Sequence, residues 1–220
     1  MDKHKVAIVM PAFNEEFTIY DEVKSVKEYG KVIVVNDGSI DHTEKKAREA
    51  GAIVINHKSN KGYDRALNSG FMKANELGCK IIITFDADGQ HDANMIKKII
   101  MLIDNGYDVV IGVRNKFQRV SEYIFSWVSK FKWGIKDPLC GLKGYSVEVY
   151  KRFGYFSSYD SIGTELCISS YKLGFKIYQI PVKIYDRSDA SRFGNRLYSN
   201  IKILWALFNV RNIKKKDIVA

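Results

Sequence analysis

The sequence predicts an α/β protein with a mostly parallel sheet that carries helices on both faces. Apolar runs alternate with helical segments through residue 112, as in proteins built from repeated strand–helix units. The runs are continuous stretches of Val and Ile without polar alternation, which is typical of parallel strands buried on both faces. The chain has 220 residues, 46% of them hydrophobic, so one domain with a substantial core is expected.

The first half is predicted to hold five strands and four helices in alternation. Each predicted strand is an apolar run that ends at a polar or turn-forming residue, and these runs cover residues 6–10, 31–36, 52–56, 80–85 and 108–112. The predicted helices cover residues 15–29, 42–50, 66–77 and 93–105, and the first three end before a glycine. At the second helix, Asp41 is the expected N-cap, with Glu44 completing a capping box.

The second half is less regular. We expect a loop at residues 137–144, a helix at 161–173, a strand at 176–185 and an apolar helix at 201–210. Residues 1–110 hold 15 Lys and Arg against 17 Asp and Glu, whereas residues 111–220 hold 20 against 8. This basic second half indicates an anionic partner, such as a phosphate, an anionic lipid or a nucleic acid.

Cysteine content and apolar run lengths limit the classes of protein. The three cysteines are widely spaced and odd in number, which argues against a disulfide framework and a Cys-based zinc site and favours a reduced, cytoplasmic setting. They are Cys79, Cys140 and Cys167. The N-terminus shows no signal-peptide segment, and no uncharged apolar run reaches the length of about 18 residues that spans a membrane.

The most unusual local sequences follow three of the predicted strands. They are residues 11–16 (PAFNEE), 37–38 (DG) and 86–91 (DADGQH). Ligands bind beyond the carboxyl ends of the strands in open parallel sheets, so these three segments are expected to meet at one edge of the sheet.

Asp86 and Asp88 are the candidate metal ligands. Two carboxylates two residues apart at a strand end can converge on one hard cation, Mg²⁺ or Mn²⁺, and Gln90 and His91 follow closely enough to complete or support the site. Such a cation neutralises a diphosphate and helps it to leave. The alternative is that both carboxylates only cap the loop.

Other polar residues near this edge have two interpretations each. Asp37 fits a contact with a base or a ribose, but also an ordinary turn. Asn14 and the two acids after it fit a ligand contact, the start of a helix, or both. Lys61 and Arg65 fit a contact with phosphate or a solvated surface.

Taken in order, the segments PAFNEE, VNDGS (residues 35–39), NKGYDRALNSG (residues 60–70) and DADGQH resemble glycosyltransferase family 2 in sequence and spacing. The resemblance covers about residues 5–115 and continues more weakly to about residue 195. It implies the GT-A fold, a Rossmann-like, mostly parallel sheet with helices on both faces. Within the family, the chain looks most like the polyprenyl-phosphate glycosyltransferases, such as dolichol-phosphate mannose synthases.

The resemblance also implies an organisation and a set of donor-side roles. One GT-A domain would cover residues 1–195, with a nucleotide and metal half at about 1–115 and an acceptor half at about 116–195, before a basic amphipathic helix and tail at 196–220. A GDP- or UDP-sugar would be bound by Pro11, Ala12, Asn14, Glu16, Asp37, Lys61, Asp86, Ala87 and Asp88. The Mg²⁺ or Mn²⁺ ion would be held by Asp88 and Gln90, with Asp86 beside them.

On the acceptor side, the resemblance implies phosphate contacts from Arg114, Lys143, Arg187 and Ser191. The chain departs from the family in the last segment, which is one residue short and has Ala190 in place of glycine. It also has Tyr63, Asp64 and Arg65 where relatives often have small residues.

The acceptor decides which catalytic residues are needed besides Asp86 and Arg114. A sugar hydroxyl needs a general base, for which Asp137 and Glu165 are the candidates. A polyprenyl phosphate is already an anion and needs cations instead, which the basic second half supplies. We therefore expect inverting transfer to a polyprenyl phosphate, with a sugar hydroxyl in polysaccharide or cell-envelope glycan synthesis as the alternative.

Two segments combine aromatic and basic residues, at 117–133 and 201–216. This combination suits a helix that lies on anionic lipid, which would place the protein peripherally on the cytoplasmic membrane face. The alternatives are helices packed on the core, an oligomer interface, or a surface for a protein that supplies the anchor.

Three other classes of protein fit the sequence less well. A nucleotidyltransferase normally has a Gly-rich, basic loop after the first strand, whereas residues 14–16 are acidic here. A protein that binds anionic lipid or nucleic acid without catalysis fits the charge, but no nucleic-acid-binding motif is present and no such partner is expected. A catalytically inactive family member that serves as a scaffold is the third class, but Asp37, Asp86, Asp88 and Gln90 are all present.

Overall fold

The computed structural model describes residues 5–185 and 196–213. Seven strands in these ranges form one sheet: β1 (Val6–Ala12), β2 (Lys31–Asn36), β3 (Ile53–Asn56), β4 (Ile81–Thr84), β5 (Val109–Arg114), β6 (Lys143–Ser146) and β7 (Ile177–Val182). Eight helices accompany them: α1 (Ile19–Val26), α2 (Thr43–Ala50), α3 (Tyr63–Glu76), α4 (Asn94–Asp104), α5 (Val120–Trp133), α6 (Val147–Phe153), α7 (Glu165–Leu173) and α8 (Arg196–Asn212).

The sheet is parallel except for one strand. Its order is β3-β2-β1-β4-β6-β5-β7, and β6 pairs antiparallel with both β4 and β5. Because β6 runs backwards, its first residue, Lys143, pairs with Thr84 at the carboxyl end of β4. The loop before β6 therefore enters the sheet at the edge where the parallel strands end.

Both faces of the sheet are covered, as the unbroken apolar strands predict. In β1, Val9 faces a core cluster built with α3, where Leu67 and Phe71 are fully buried. Its neighbour Ile8 faces a second cluster, to which α1 and α4 contribute buried residues such as Ile19 and Ile99. The predicted α/β class, with helices on both faces of a mostly parallel sheet, is confirmed.

Several predicted boundaries were wrong for local reasons. The first helix begins at Ile19 rather than at residue 15, because the Glu15 amide donates to Thr43 Oγ1 at 2.8 Å and holds the chain to the next loop. The predicted capping box does not form, since Glu44 bonds to Arg48 instead of turning back to the start of its helix. The α3 helix begins at Tyr63, three residues earlier than predicted.

The largest difference lies in the second half. The segment expected to be a loop contains β6 from Lys143 onward, and α6 follows it without a break. The seventh helix begins at Glu165 rather than at residue 161, and the last helix extends over 196–212 rather than 201–210. Within the described ranges, none of the helices combines the length and the apolar character that crossing a membrane requires.

Candidate active site

The loops that follow β1 and β2 are tied together by hydrogen bonds. The Asn14 amide donates to the Ser39 hydroxyl at 2.9 Å, and the Ile40 amide donates to Asn14 Oδ1 at 3.0 Å. The Glu16 amide donates to Asp41 Oδ2 at 3.1 Å. Asn14 lies at φ +55°, a left-handed conformation that Asn tolerates better than most residues. Asn14 and Glu16, both predicted nucleotide ligands, thus lie in a fixed double loop.

The end of β1 connects this double loop to the loop after β4. Pro11 and Ala12 are its last two residues, and the Ala12 carbonyl accepts the Asp37 amide at 2.8 Å. Thr18 Oγ1 donates to the Ala87 carbonyl at 2.6 Å. The three segments expected to meet at one edge of the sheet therefore do so.

Asp37 is 4% exposed and its carboxylate already has donors from the protein. Its Oδ1 lies 2.6 Å from His57 Nδ1, and the amides of Lys61 and Gly62 donate to the carboxylate at 2.8–3.1 Å. His57 is held in turn by Ser69, whose Oγ lies 2.9 Å from Nε2. Asp37 thus fixes the turn before α3, while the side chain of Lys61 is exposed.

Asp86 follows β4, and its carboxylate is held from two sides. Tyr63 donates its hydroxyl to Oδ1 at 3.1 Å, and His91 Nε2 lies 3.1 Å from Oδ2. On a third side Gly141 packs against the carboxylate, and only glycine fits there, because a Cβ on residue 141 would lie 1.8 Å from Asp86 Oδ2. Burial opposes ionisation of Asp86, but the hydrogen bond and the charge of His91, with smaller contributions from Tyr63 and Lys143, set its pKa below the ordinary 3.8.

Asp88 and Gln90 lie in the turn that follows. The Gln90 amide donates to Asp88 Oδ1 at 3.2 Å, and Gln90 Nε2 donates to the Tyr185 carbonyl at 3.2 Å. Burial raises the pKa of nearby Glu22 to about 7, and the charge of Asp88 adds to the effect. The carboxylates of Glu22 and Asp88 therefore lie close enough to repel each other. Within the described ranges, no three His, Cys, Asp or Glu side chains form a metal cage by themselves.

Two of the predicted catalytic residues, Arg114 and Asp137, are bonded to each other. The Arg114 guanidinium makes a bidentate pair with the Asp137 carboxylate at 2.8 and 3.0 Å, and its amide donates to the same carboxylate at 3.0 Å. Glu122 lies 3.5 Å from the guanidinium and also pairs with Arg119 at 3.0 Å. Asp137 is fully buried, so its carboxylate orients Arg114 and has no room for a further partner from solvent.

A cleft of about 180 Å³ joins Asp86 to this cluster. Its polar lining residues include Asp86, Gln90, Arg114, Arg119 and Glu122. Its apolar lining residues include Leu139, Ile162 and Ile203. The cleft thus brings together Asp86 and Gln90, two of the three residues predicted for the donor metal, and Arg114, which is predicted for the acceptor phosphate.

Lys143 and Glu165 lie outside the lining of this cleft. Lys143 is 2% exposed, and its Nζ donates to the Gly163 carbonyl at 3.0 Å, behind the cleft wall. The Glu165 carboxylate is 2% exposed and accepts both the amide and the hydroxyl of Ser158 at 2.7 Å. The other two predicted phosphate contacts, Arg187 and Ser191, lie outside the described residues.

Sequence reasoning missed several residues of the site. Tyr63 was noted only as a departure from the family, yet it holds Asp86. Gly141 was assigned no role, although a glycine within a loop is a signal that another part of the chain approaches closely. Glu122 and Ile203 lie on α5 and α8, and Arg119 directly precedes α5, in segments that carried no motif.

Comparison with known proteins agrees with the architecture. The family model described as glycosyl transferase family 2 matches residues 7–160. An uncharacterized protein of Methanocaldococcus jannaschii is 33% identical over 225 residues, covering 94% of this chain and 92% of that protein. A UDP-N-acetylglucosamine–dolichyl-phosphate N-acetylglucosaminyltransferase of Methanococcus voltae is 29% identical over 248 residues, covering 96% and 98%.

Solved structures share the fold. Glucosyl-3-phosphoglycerate synthase from Mycobacterium tuberculosis, crystallised with Mn²⁺, UDP and phosphoglyceric acid, superposes with a TM-score of 0.78 at 20% identity. The superposition covers 96% of this chain and 79% of that one, and it confirms the predicted GT-A fold. Since the family model spans more than half of the chain and a relative of nearly equal length exceeds 30% identity, this protein belongs to glycosyl transferase family 2.

Proposed function

We propose that this protein is an inverting, metal-dependent glycosyltransferase that moves a sugar from a GDP- or UDP-sugar to a polyprenyl phosphate. The observation that carries the proposal is the mixed character of the cleft at Asp86. Arg114 and Arg119, which are paired with Asp137 and Glu122, place two guanidinium groups at the cleft, and Leu139, Ile162 and Ile203 add apolar side chains to its lining. A ligand that is an anion at one end and a hydrocarbon at the other matches both kinds of lining residue.

The donor half fits a divalent cation. Two carboxylates and an amide oxygen, from Asp86, Asp88 and Gln90, are the hard oxygen donors that Mg²⁺ and Mn²⁺ prefer. Residues 5–185 and 196–213 hold no complete metal cage, which matches a cation whose coordination is completed by diphosphate oxygens and water. When bound, the cation would neutralise the leaving diphosphate. The Mycobacterium tuberculosis structure with Mn²⁺ and UDP supports this assignment by shared fold.

The remaining donor contacts are proposed at the double loop. Pro11, Ala12, Asn14 and Glu16 would surround the nucleotide, with Asp37, Lys61 and Ala87 at its margins. Asp37 would act by holding the turn at Lys61 in place, because its carboxylate is already engaged by that turn.

The acceptor assignment follows from the state of the two candidate bases. The Asp137 carboxylate is paired with Arg114, and the Glu165 carboxylate is hydrogen-bonded to Ser158 outside the cleft lining. A phosphate acceptor needs neither, because it is an anion at neutral pH. Its oxygen would attack the anomeric carbon on the face opposite the diphosphate, while Arg114, oriented by Asp137, and Arg119 hold its charge. The dolichyl-phosphate activity named for the Methanococcus voltae relative supports this class of acceptor.

The first experiment measures thermal unfolding with GDP- and UDP-sugars, with and without Mn²⁺. The matched pair is Asp88→Asn and Asp104→Asn, since Asp104 is an exposed residue at the end of α4. We expect a donor to raise the melting temperature only with metal, in wild type and Asp104→Asn but not in Asp88→Asn. Transfer from that donor to a polyprenyl phosphate is then assayed against a free sugar acceptor. No shift with any donor, or transfer only to the sugar, would refute the proposal.

The proposal also places the reaction on the cytoplasmic face of a membrane, where a polyprenyl phosphate presents its phosphate at the surface. The three cysteines are free and buried, which fits a reducing compartment.

A further inference from the structure

The exposed large apolar side chains are concentrated on two neighbouring helices. Of nineteen such side chains in the described ranges, eleven lie on α5 and α8. On α5 they are Val120, Tyr123, Ile124, Trp127 and Phe131. On α8 they are Leu197, Tyr198, Ile201, Leu204, Trp205 and Phe208. We call this set the α5–α8 face. Contiguous apolar surface on a water-soluble protein marks an interaction site.

Both helices are more apolar on the side that faces water than a surface helix normally is. The exposed residues of α5 recur at helical spacing along one stripe, whereas its buried stripe includes Ser121, Glu122 and Ser129. In α8, Ser199 and Ala206 are among the few residues that are buried. Packing on the core therefore does not account for the aromatic stripes.

The exposed charges carried by the two helices themselves are of one sign. The only acidic residue in the two helices is Glu122, which is 4% exposed and paired with Arg119. Lys130, Lys132 and Arg211 are exposed at the ends of the same helices. Aromatic side chains bordered by cations are the composition of protein surfaces that lie at the interface of an anionic bilayer.

The two helices are fixed to each other and to the cleft. Ser121 Oγ donates to Asn200 Oδ1 at 2.6 Å, which joins the start of α5 to α8. Arg119 and Glu122 at the start of α5, and Ile203 on α8, are also part of the cleft wall. The two helices that carry the α5–α8 face thus also contribute to the cleft, through their buried sides.

We infer that the α5–α8 face docks on the surface of a bilayer that contains anionic lipid, with the cleft opening at the level of the headgroups. In this orientation an acceptor presents its phosphate to Arg119 and Arg114 while its hydrocarbon stays in the bilayer. The role of docking in presenting the acceptor rests on the proposed function, whereas the docking itself is inferred from the two helices alone.

A second copy of the chain fits the face less well. A two-fold dimer would pack this face of one copy against the same face of the other, which would place Lys130, Lys132 and Arg211 of both copies in one interface to which the two helices contribute no exposed carboxylate. Anionic headgroups neutralise these cations.

The test is flotation of the full chain with vesicles of phosphatidylcholine, with and without phosphatidylglycerol. One double variant changes α5, Trp127→Glu with Phe131→Glu, and one changes α8, Ile201→Glu with Phe208→Glu. We expect each to lose at least about tenfold in partition to the anionic vesicles. The matched control, Met72→Glu with Met101→Glu, alters two side chains that are 53% and 52% exposed elsewhere, and it should bind as wild type does.

Melting temperatures verify that the variants fold, and sedimentation measures their association state. The inference would be overturned if wild type binds neither kind of vesicle. It would also be overturned if wild type is a dimer that the face variants dissociate. Transfer to a water-soluble, short-chain prenyl phosphate without vesicles separates the two proposals. The face variants should keep that activity, and if wild type lacks it while still binding vesicles, the proposed function fails and the docking surface stands.

Discussion

Gly141 lies so close to Asp86 that a Cβ added to Gly141 would be 1.8 Å from the carboxylate oxygen Oδ2. The loop before β6 therefore packs directly against a residue at the end of β4. We predict that Gly141→Ala displaces the Asp86 carboxylate and lowers kcat by about 100-fold, the scale of a misplaced catalytic group. Steady-state kinetics with the donor identified by thermal shift measure the effect.

Gly144→Ala is the matched control for this prediction. A Cβ on Gly144 would lie 2.2 Å from Ile99 in the core, so this variant should lose stability by overpacking while its folded fraction keeps its activity. Equal losses of activity per folded molecule in the two variants would show that Gly141 has no specific role at Asp86.

The hydroxyl of Tyr63 should matter more than that of Tyr145. Tyr63→Phe removes the donor to Asp86, which should cost about 1 kcal/mol of unfolding free energy and lower activity. Tyr145→Phe removes a buried hydroxyl that has no hydrogen-bond partner, so it should be neutral or stabilising. Denaturant unfolding of both variants checks the contrast, and a larger loss in Tyr145→Phe would contradict it.

Asp64 should make stability fall as the pH rises through the acid range. Burial raises its pKa from 3.8 to about 6, although it accepts the amides of Ile162 and Gly163 at 2.8 and 2.7 Å. Between pH 3.8 and about pH 6 the folded protein binds more protons than the unfolded chain, so the free energy of unfolding falls as the pH increases. Relative to Asp64→Asn, wild type should lose about 2 kcal/mol between pH 4 and pH 7.

Denaturant unfolding of wild type and Asp64→Asn at several pH values measures this difference. Other titrating groups are common to both proteins, so they cancel. A difference that does not change with pH, or one that grows in favour of wild type as the pH rises, would contradict the prediction.

The pair of Arg114 and Asp137 should contribute far more than a surface pair. The Arg114 side chain is only 14% exposed, and Asp137→Ala removes its bidentate partner. This should lower the free energy of unfolding by about 3–5 kcal/mol. Glu148→Ala breaks a 3.0 Å pair with Lys151 whose side chains are 69% and 52% exposed, which should cost no more than about 1 kcal/mol. Similar unfolding free energies for the two variants would show that burial adds nothing to the Arg114 pair.

The placement of the candidate site could be predicted from the sequence because strand ends carry positional information. Asp37 and Asp86 each follow an unbroken apolar run, and parallel strands end at the same edge. What holds Asp86 could not be predicted. Tyr63 comes from the start of α3 and Gly141 from the loop before β6, and both contacts depend on how those elements pack.

The antiparallel strand could not be predicted for a different reason. Its four residues, KGYS, have neither a Val/Ile run nor a polar alternation. They form a strand because β4 and β5 on either side offer unpaired backbone groups. Likewise, the sequence shows that α5 and α8 are rich in aromatic residues, but only the packing shows that these side chains face outward.

The position of β6 makes the two halves of the chain one cooperative unit. The β5 strand has hydrogen-bonded neighbours only in β6 and β7 within the described ranges, so a chain that stops at residue 115 gives it no partner. The same truncation would leave Ile81–Thr84 as an open, apolar edge that templates aggregation. On the ribosome, the sheet can therefore be completed only after the segment that ends at Val182 has emerged.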